Sequence, residues 1–181
     1  SPNNFGIDLN ASGITVDDFG SPVLKWTTNT FHYIAGIDLD LDASADLLAL
    51  DENGLLFAFN SELILMPGFP IQIPLQAPIL VRNLFNNAYP EIVAKAVDSS
   101  AIYIFDSQGS IQYRIVSNKN DPLIALGELK GQNSVLTQST IYQFGPASET
   151  QGNEWSVEHG NPGRTRALDL DYTFDKNHSN I

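Results

Sequence analysis

Residues 36–60 read GIDLDLDASADLLALDENGLLFAFN. Asp38, Asp40, Asp42 and Asp46 crowd four carboxylates into nine residues, and the chain then runs straight into two apolar segments, Leu47 to Asp51 and Leu55 to Asn60. At roughly 6 Å in water each like-charge pair costs about 0.7 kcal/mol, so six pairs oppose such a loop by about 4 kcal/mol before salt screening. Either solvent and salt absorb that repulsion, or a cation sits among the oxygens. The two apolar segments flank Glu52-Asn53-Gly54, a hairpin connection in which Gly54 supplies φ > 0. The run LLFAF is apolar on both faces, so its strand asks to be covered above and below.

The pattern recurs. VRNLFNNAYPEIVAKAVDSSAIYIFD (residues 81–106) and ALGELKGQNSVLTQSTIYQFG (residues 125–145) repeat a polar loop, an apolar strand, a short turn and a second strand carrying an aromatic residue, Phe59, Phe105 and Phe144 in turn. The loops end at Asp46, Glu91 and Ser134, spaced 45 and 43 residues apart. A weaker copy lies at the N-terminus, where GITVDDFGSPVLKW (13–26) parallels AIYIFDSQGSIQYRI (101–115). Further strands are expected over Ile92 to Asp98, Ala101 to Asp106 and Ser110 to Val116. No segment carries a capped 3.6-residue apolar stripe, so helix is expected to be minor.

Meanders of three or four strands with both faces buried, repeating about every 44 residues, point to an all-β fold built of β-propeller blades. The expected division is a repeat domain over 1–165, with a weak blade at 1–35, blades at about 36–78, 79–122 and 123–153, and a closing segment at 154–165. A C-terminal tail fills 166–181. The count fits a propeller of roughly four blades or the C-terminal part of a larger one. A chain that starts at Ser1 without Met or a basic-apolar leader reads as a processed form or a piece of a longer polypeptide. A partial array would expose an apolar blade face and associate through it. A two-sheet sandwich is the competing architecture, but it would leave one face of each strand polar.

Composition narrows the function classes. Twenty-one acids against nine bases give a formal charge of −12, which disfavours nucleic acid and anionic membrane surfaces as partners. No stretch approaches the ~20 apolar residues of a membrane-spanning helix. Cysteine is absent, so disulfides and thiolate chemistry are excluded.

Asp38, Asp40, Asp42 and Asp46 hold positions 1, 3, 5 and 9 of their loop, and Ser44 at position 7 has a backbone carbonyl to offer. Hard carboxylate and carbonyl oxygens in that number are what Ca²⁺ requires. An EF-hand needs Gly at position 6 and Glu at position 12, where this chain has Ala43 and Ala49, and its loop enters a helix rather than a strand.

The loop resembles the calcium-loop β-propeller repeats called FG-GAP or VCBS, found in integrin alpha chains and many bacterial secreted proteins. Their loop, D-x-D-x-D-G-x-x-D, precedes a blade strand. Asp38, Asp40, Asp42 and Asp46 match its four acidic positions, and Ala43 stands where Gly is usual. Ala at φ > 0 costs roughly 1 kcal/mol, which bears on affinity. Met66-Pro67-Gly68-Phe69-Pro70 looks like the family's element between blades, and EWSVEHGNPGRT (154–165) is similar to the Trp…Gly-Asn…Arg-Thr segment that follows such arrays in bacteria. The resemblance covers about residues 34–165. It implies structural Ca²⁺ in one loop of a secreted or cell-surface module for adhesion or for binding a glycan or protein.

The other copies have drifted. The second loop offers Asn83, Phe85, Asn87 and Glu91, a degenerate metal set. The third offers Leu126, Glu128, Lys130 and Ser134, with Lys130 placed to supply an ammonium in a cation's stead. His32, His159 and His178 are scattered, and no nucleophile elbow, zinc-binding His pair or phosphate-cradling loop is present. HGNPGRTR (159–166) reads as a closing segment whose Arg164 and Arg166 pair with acids, and Tyr89, Tyr103, Tyr113 and Tyr142 fall at positions suited to blade packing. A non-catalytic module is the leading expectation. The alternatives are part of an extracellular polysaccharide lyase, glycosidase or peptidase, or a purely architectural spacer.

Overall fold

The computed structural model describes residues 5–10, 13–18, 21–26, 29–97 and 99–146, with side chains from residue 29 to 145. The expected closing segment (154–165), its arginines and the tail (166–181) lie outside the described residues. Among the described residues the fold is all-β, with thirteen strands and no helix. They are β1 (Phe5–Asn10), β2 (Gly13–Asp18), β3 (Ser21–Trp26), β4 (Phe31–Ile37), β5 (Asp46–Asp51), β6 (Leu56–Phe59) and β7 (Leu75–Arg82). There follow β8 (Glu91–Ala96), β9 (Ala101–Phe105), β10 (Ile111–Val116), β11 (Leu123–Leu129), β12 (Gln132–Thr137) and β13 (Ile141–Pro146). They pair into four antiparallel meanders in chain order: β1-β2-β3, β4-β5-β6, β7-β8-β9-β10 and β11-β12-β13. No described strand pairing joins one sheet to another.

The strand before each loop belongs to the sheet that follows it. β4 straddles the expected boundary at residue 36, and β7 the one at 79. The expected hairpin turn is present: Gly54 has φ 78° and its N–H donates to the Asp51 carbonyl at 3.0 Å.

Apolar residues on both faces produce the expected two-sided burial. All residues of β5, β6 and β8 are buried. The rung Ala35–Leu48–Ala58 faces one apolar cluster, and the next rung, Ile34–Ala49–Phe57, faces another. In the second cluster Phe31 meets Phe57 edge-on at 5.4 Å, an arrangement worth about 0.5–1.5 kcal/mol beyond its area. The larger cluster is continuous through Leu48 and Leu50, Leu80 and Ile92, and Leu126 and Val135, so the second, third and fourth sheets share one core. The leading strands touch in succession, β1 with β4, β4 with β7, and β7 with β11.

Met66-Pro67-Gly68-Phe69-Pro70 fills the connection from the second sheet to the third. Isolated bridges Phe59↔Leu65 and Leu56↔Ile71 lay this segment along β6 as an interrupted outer strand. Gly68 has φ 87°, and a Cβ there would lie 1.9 Å from the Gln108 carbonyl oxygen. The segment is thus pressed against the β9–β10 turn.

The third copy corrects one expectation. Residues 126–134 form no loop: β11 and β12 meet in a two-residue turn at Lys130-Gly131, both at positive φ, as a type I′ connection requires. Lys130 is exposed on that turn, and Ser134 is a buried strand residue opposite Gly127. The sequence LKGQ carries the turn signal that alignment to the first two loops passes over.

Candidate metal centre

Residues 38–45 leave the sheet at the Ile37↔Asp46 rung and return to it at β5. Leu39 anchors the loop, its side chain fully buried in the main core while its N–H donates to Asp46 Oδ2 at 2.8 Å. The other carboxylates fold the loop around themselves. Asp38 accepts from Asp42 N and Ala43 N, each at 3.1 Å. Asp40 Oδ1 accepts from Asp42 N at 3.2 Å, and Asp42 Oδ1 from Ser44 N at 2.7 Å. Leu41 (φ 62°) and Ala43 (φ 67°) take the left-handed conformation that such tight winding demands. Ala43 therefore bears the strain of a non-glycine residue in that conformation.

One carboxylate oxygen from each of Asp38, Asp40 and Asp42 lies within 4.8 Å of the others. Asp38 is buried, while Asp40 and Asp42 are open to solvent. Asp46 stands behind them, 1 % exposed, and its Oδ1 is buried without a hydrogen-bond partner among the described residues. Burial first, and then the charges of Asp40, Asp42 and Asp38, push its carboxyl up to about 6, against the lowering effect of the Leu39 N–H. Leaving such an oxygen unsatisfied costs about 1–3 kcal/mol. Ser44 is half-buried in the same loop. The loop thus gathers hard oxygen donors and no positive group, a donor set suited to a dication.

The second loop repeats the backbone device with different chemistry. Glu91 opens β8 as Asp46 opens β5. Its Oε2 accepts from Leu84 N at 2.7 Å and Phe85 N at 3.4 Å, and Leu84, like Leu39, is fully buried. Asn86 has φ 54°, as Leu41 has at the equivalent position. Here, however, Asn87 Nδ2 donates to Glu91 Oε1 at 2.5 Å and Asn83 Nδ2 to the Asn87 carbonyl at 2.8 Å. From the fourth sheet, Asn133 Nδ2 donates to the carbonyls of Asn83 and Leu84, while Arg82 Nε donates to Asn133 Oδ1 at 3.2 Å. Amide donors occupy the space that carboxylates need a cation to share. Burial raises the Glu91 carboxyl, against the lowering effect of the hydrogen bonds from Leu84, Asn87 and Phe85.

A cleft of about 190 Å³ opens between this loop and the β9–β10 turn, lined by Tyr89, Glu91, Asp106 and Gln108 among others. Its two carboxylates are spent on local structure, Glu91 as above and Asp106 on Gln108 N (3.0 Å), Ser110 N (2.8 Å) and Gln112 Nε2 (2.9 Å). The cleft is smaller than the roughly 300–1,000 Å³ of ordinary ligand pockets. Tyr89 is about half exposed, Tyr113 is half exposed but meets Phe144 edge-on at 6.0 Å, and Tyr103 and Tyr142 pack on the core as expected.

Sequence reasoning missed a buried polar junction between the third and fourth sheets. Lys95, 2 % exposed in β8, donates from Nζ to the Asn118 carbonyl at 2.7 Å and to the Asp121 carbonyl. The Asp121 carboxylate accepts from Thr137 Oγ1 (2.6 Å), Ser139 N (2.8 Å) and Ser139 Oγ (2.7 Å). A lone Lys inside the apolar run EIVAKA was the available signal. Against known proteins, no family model, curated protein or solved structure matches this chain.

Proposed function

We propose that this chain is a bacterial-type, non-catalytic β-propeller module, secreted or displayed at the cell surface, that serves adhesion or binds a glycan or protein ligand. In this reading loop 38–46 holds a structural Ca²⁺. Asp38, Asp40, Asp42 and Asp46 would hold it through carboxylates, and Ser44 through its backbone carbonyl. The observation that carries the calcium reading is Asp46 Oδ1, a buried orphan acceptor behind three converged carboxylates. The ion would cancel the repulsion among these acids and tie the loop to the start of β5.

The ordered contacts of β1, β4, β7 and β11 support the blade reading, because blades of a propeller meet along their leading strands. The outer face of the fourth sheet supports an array that continues or associates. Ala125, Leu136 and Ile141 share a rung pointing away from the core, with Ile141 half exposed. A loop of this kind in extracellular modules binds in the 10⁻⁴ to 10⁻³ M range, so it fills where calcium is millimolar, outside the cell.

Calorimetric titration of Ca²⁺ into chelator-stripped protein tests the site. One saturable event, lost in Asp40→Ala, is expected; no heat, or an unchanged Asp40→Ala, contradicts it. A glycan array followed by reducing-sugar and unsaturated-uronate assays tests the role. Binding without turnover fits the module, and turnover would replace it with an enzyme.

A further inference from the structure

The turn from β5 to β6 contains Asn53-Gly54, with Asn53 exposed. We propose that Asn53 is a modification site, converted through a succinimide to aspartate or isoaspartate, and that the fold restrains this conversion by clamping Gly54. In the reaction the Gly54 backbone nitrogen gives up its proton and attacks Cγ of Asn53. The N–Cγ bond forms, the Cγ–Nδ2 bond breaks, and Nδ2 takes up a proton and leaves as ammonia. Water then opens the five-membered imide at either carbonyl. Electrons and atoms balance with water as the sole co-reactant. A following glycine makes the attack easy because no Cβ crowds the approach.

In the folded chain both sides of Gly54 are engaged. Its N–H donates to the Asp51 carbonyl at 3.0 Å, and its carbonyl accepts from Leu75 N at 2.8 Å. Asn53 is held as well, its N–H on Asp51 Oδ1 at 2.9 Å and its Nδ2 near Asp51 Oδ2 at 3.4 Å. Attack requires the Gly54 N–H to leave Asp51 and the turn to rotate, so it proceeds from the opened hairpin. The product meets the same neighbours. Either acid puts a carboxylate beside buried Asp51, and isoaspartate adds a methylene to the backbone just before the carbonyl that receives Leu75 N. Conversion therefore loosens the seam between the second and third sheets.

The test incubates the full chain at mildly alkaline pH, folded and in denaturant, and follows amide-to-acid conversion by peptide mass spectrometry. Asn53 is expected to be the fastest-converting asparagine in denaturant and to slow by about tenfold or more in the folded chain. Its folded rate should rise and fall with hydrogen exchange at the Gly54 amide. Asn53→Asp, as a product mimic, should melt below the parent, while Asn53→Gln should melt with it and not convert. Equal rates in the two states, conversion concentrated at another asparagine, or an Asn53→Asp melt equal to the parent's would overturn the proposal.

Discussion

The N–H of Leu39 donates to the carboxylate of Asp46 at 2.8 Å, and Leu84 donates to Glu91 in the same way at 2.7 Å, 45 residues further on. In each loop a fully buried leucine and the acid that opens the next strand close a seven-residue span. What differs is the filling. Carboxylates surround Asp46, and an amide answers Glu91.

Exchanging carboxylate for amide in the first loop and amide for carboxylate in the second should therefore give different outcomes. In chelator, Asp42→Asn removes a like charge and keeps an acceptor for Ser44 N, so stability should hold or rise by about 0.5 kcal/mol. Asn87→Asp deletes the donor to Glu91 and adds a like charge, so stability should fall by about 1–3 kcal/mol. Urea midpoints of the two variants check this.

Lys95→Met should cost about 2–4 kcal/mol. It leaves the Asp121 carbonyl without its donor and takes the Lys95 charge from the Asp121 carboxylate, while the Asn118 carbonyl keeps the Asp121 N–H at 3.0 Å; these losses outweigh the lighter desolvation of a thioether. Chemical denaturation of the two proteins at neutral pH is the measurement.

Asp121 sets an acid limb. Hydrogen bonds from Thr137 and Ser139 and the Lys95 charge hold its carboxyl below the ordinary value of 3.8, against the raising effect of burial. A depressed folded-state value means that its contribution is present above pH 3.8 and is lost as pH falls through the folded value. The stability gap between the parent and Asp121→Asn should be constant near neutrality and close in that acid window. Denaturation midpoints taken across the acid range will show whether the gap closes.

Gly68→Ala should cost about 2–4 kcal/mol, because the new methyl meets the Gln108 carbonyl at 1.9 Å on a backbone at φ 87°. An equal loss at Gly127→Ala, where a Cβ meets nothing within 4 Å, would show that glycine content rather than the inter-sheet contact is responsible.

Much of this architecture is legible along the chain. LLFAF and AIYIF announce strands buried on both faces, and the Asp46-to-Glu91 spacing announces a repeated loop. Legibility fails where a residue's role depends on a partner distant in sequence. Asn133 looks like loop polarity but sits buried in β12, bonding a loop some fifty residues away. Lys95 spends its charge on two carbonyls of a distant connection. Alignment to the first two loops predicts a drifted polar loop over 126–134, yet Lys130-Gly131 closes the hairpin in two residues and leaves no room for it. Of the proposed metal site, the carboxylate cluster is legible in the sequence, whereas the orphaned Asp46 oxygen follows from burial alone.

The most direct measurement is the thermal midpoint in 5 mM-scale Ca²⁺ against excess chelator, with Asp40→Ala beside the parent. At 10⁻⁴ to 10⁻³ M affinity the ion should add about 1–2 kcal/mol, a rise of about 2–8 °C for a domain of this size, and Asp40→Ala should abolish it. An equal midpoint with and without calcium, or the same rise in both proteins, would contradict a structural dication at Asp38, Asp40, Asp42 and Asp46.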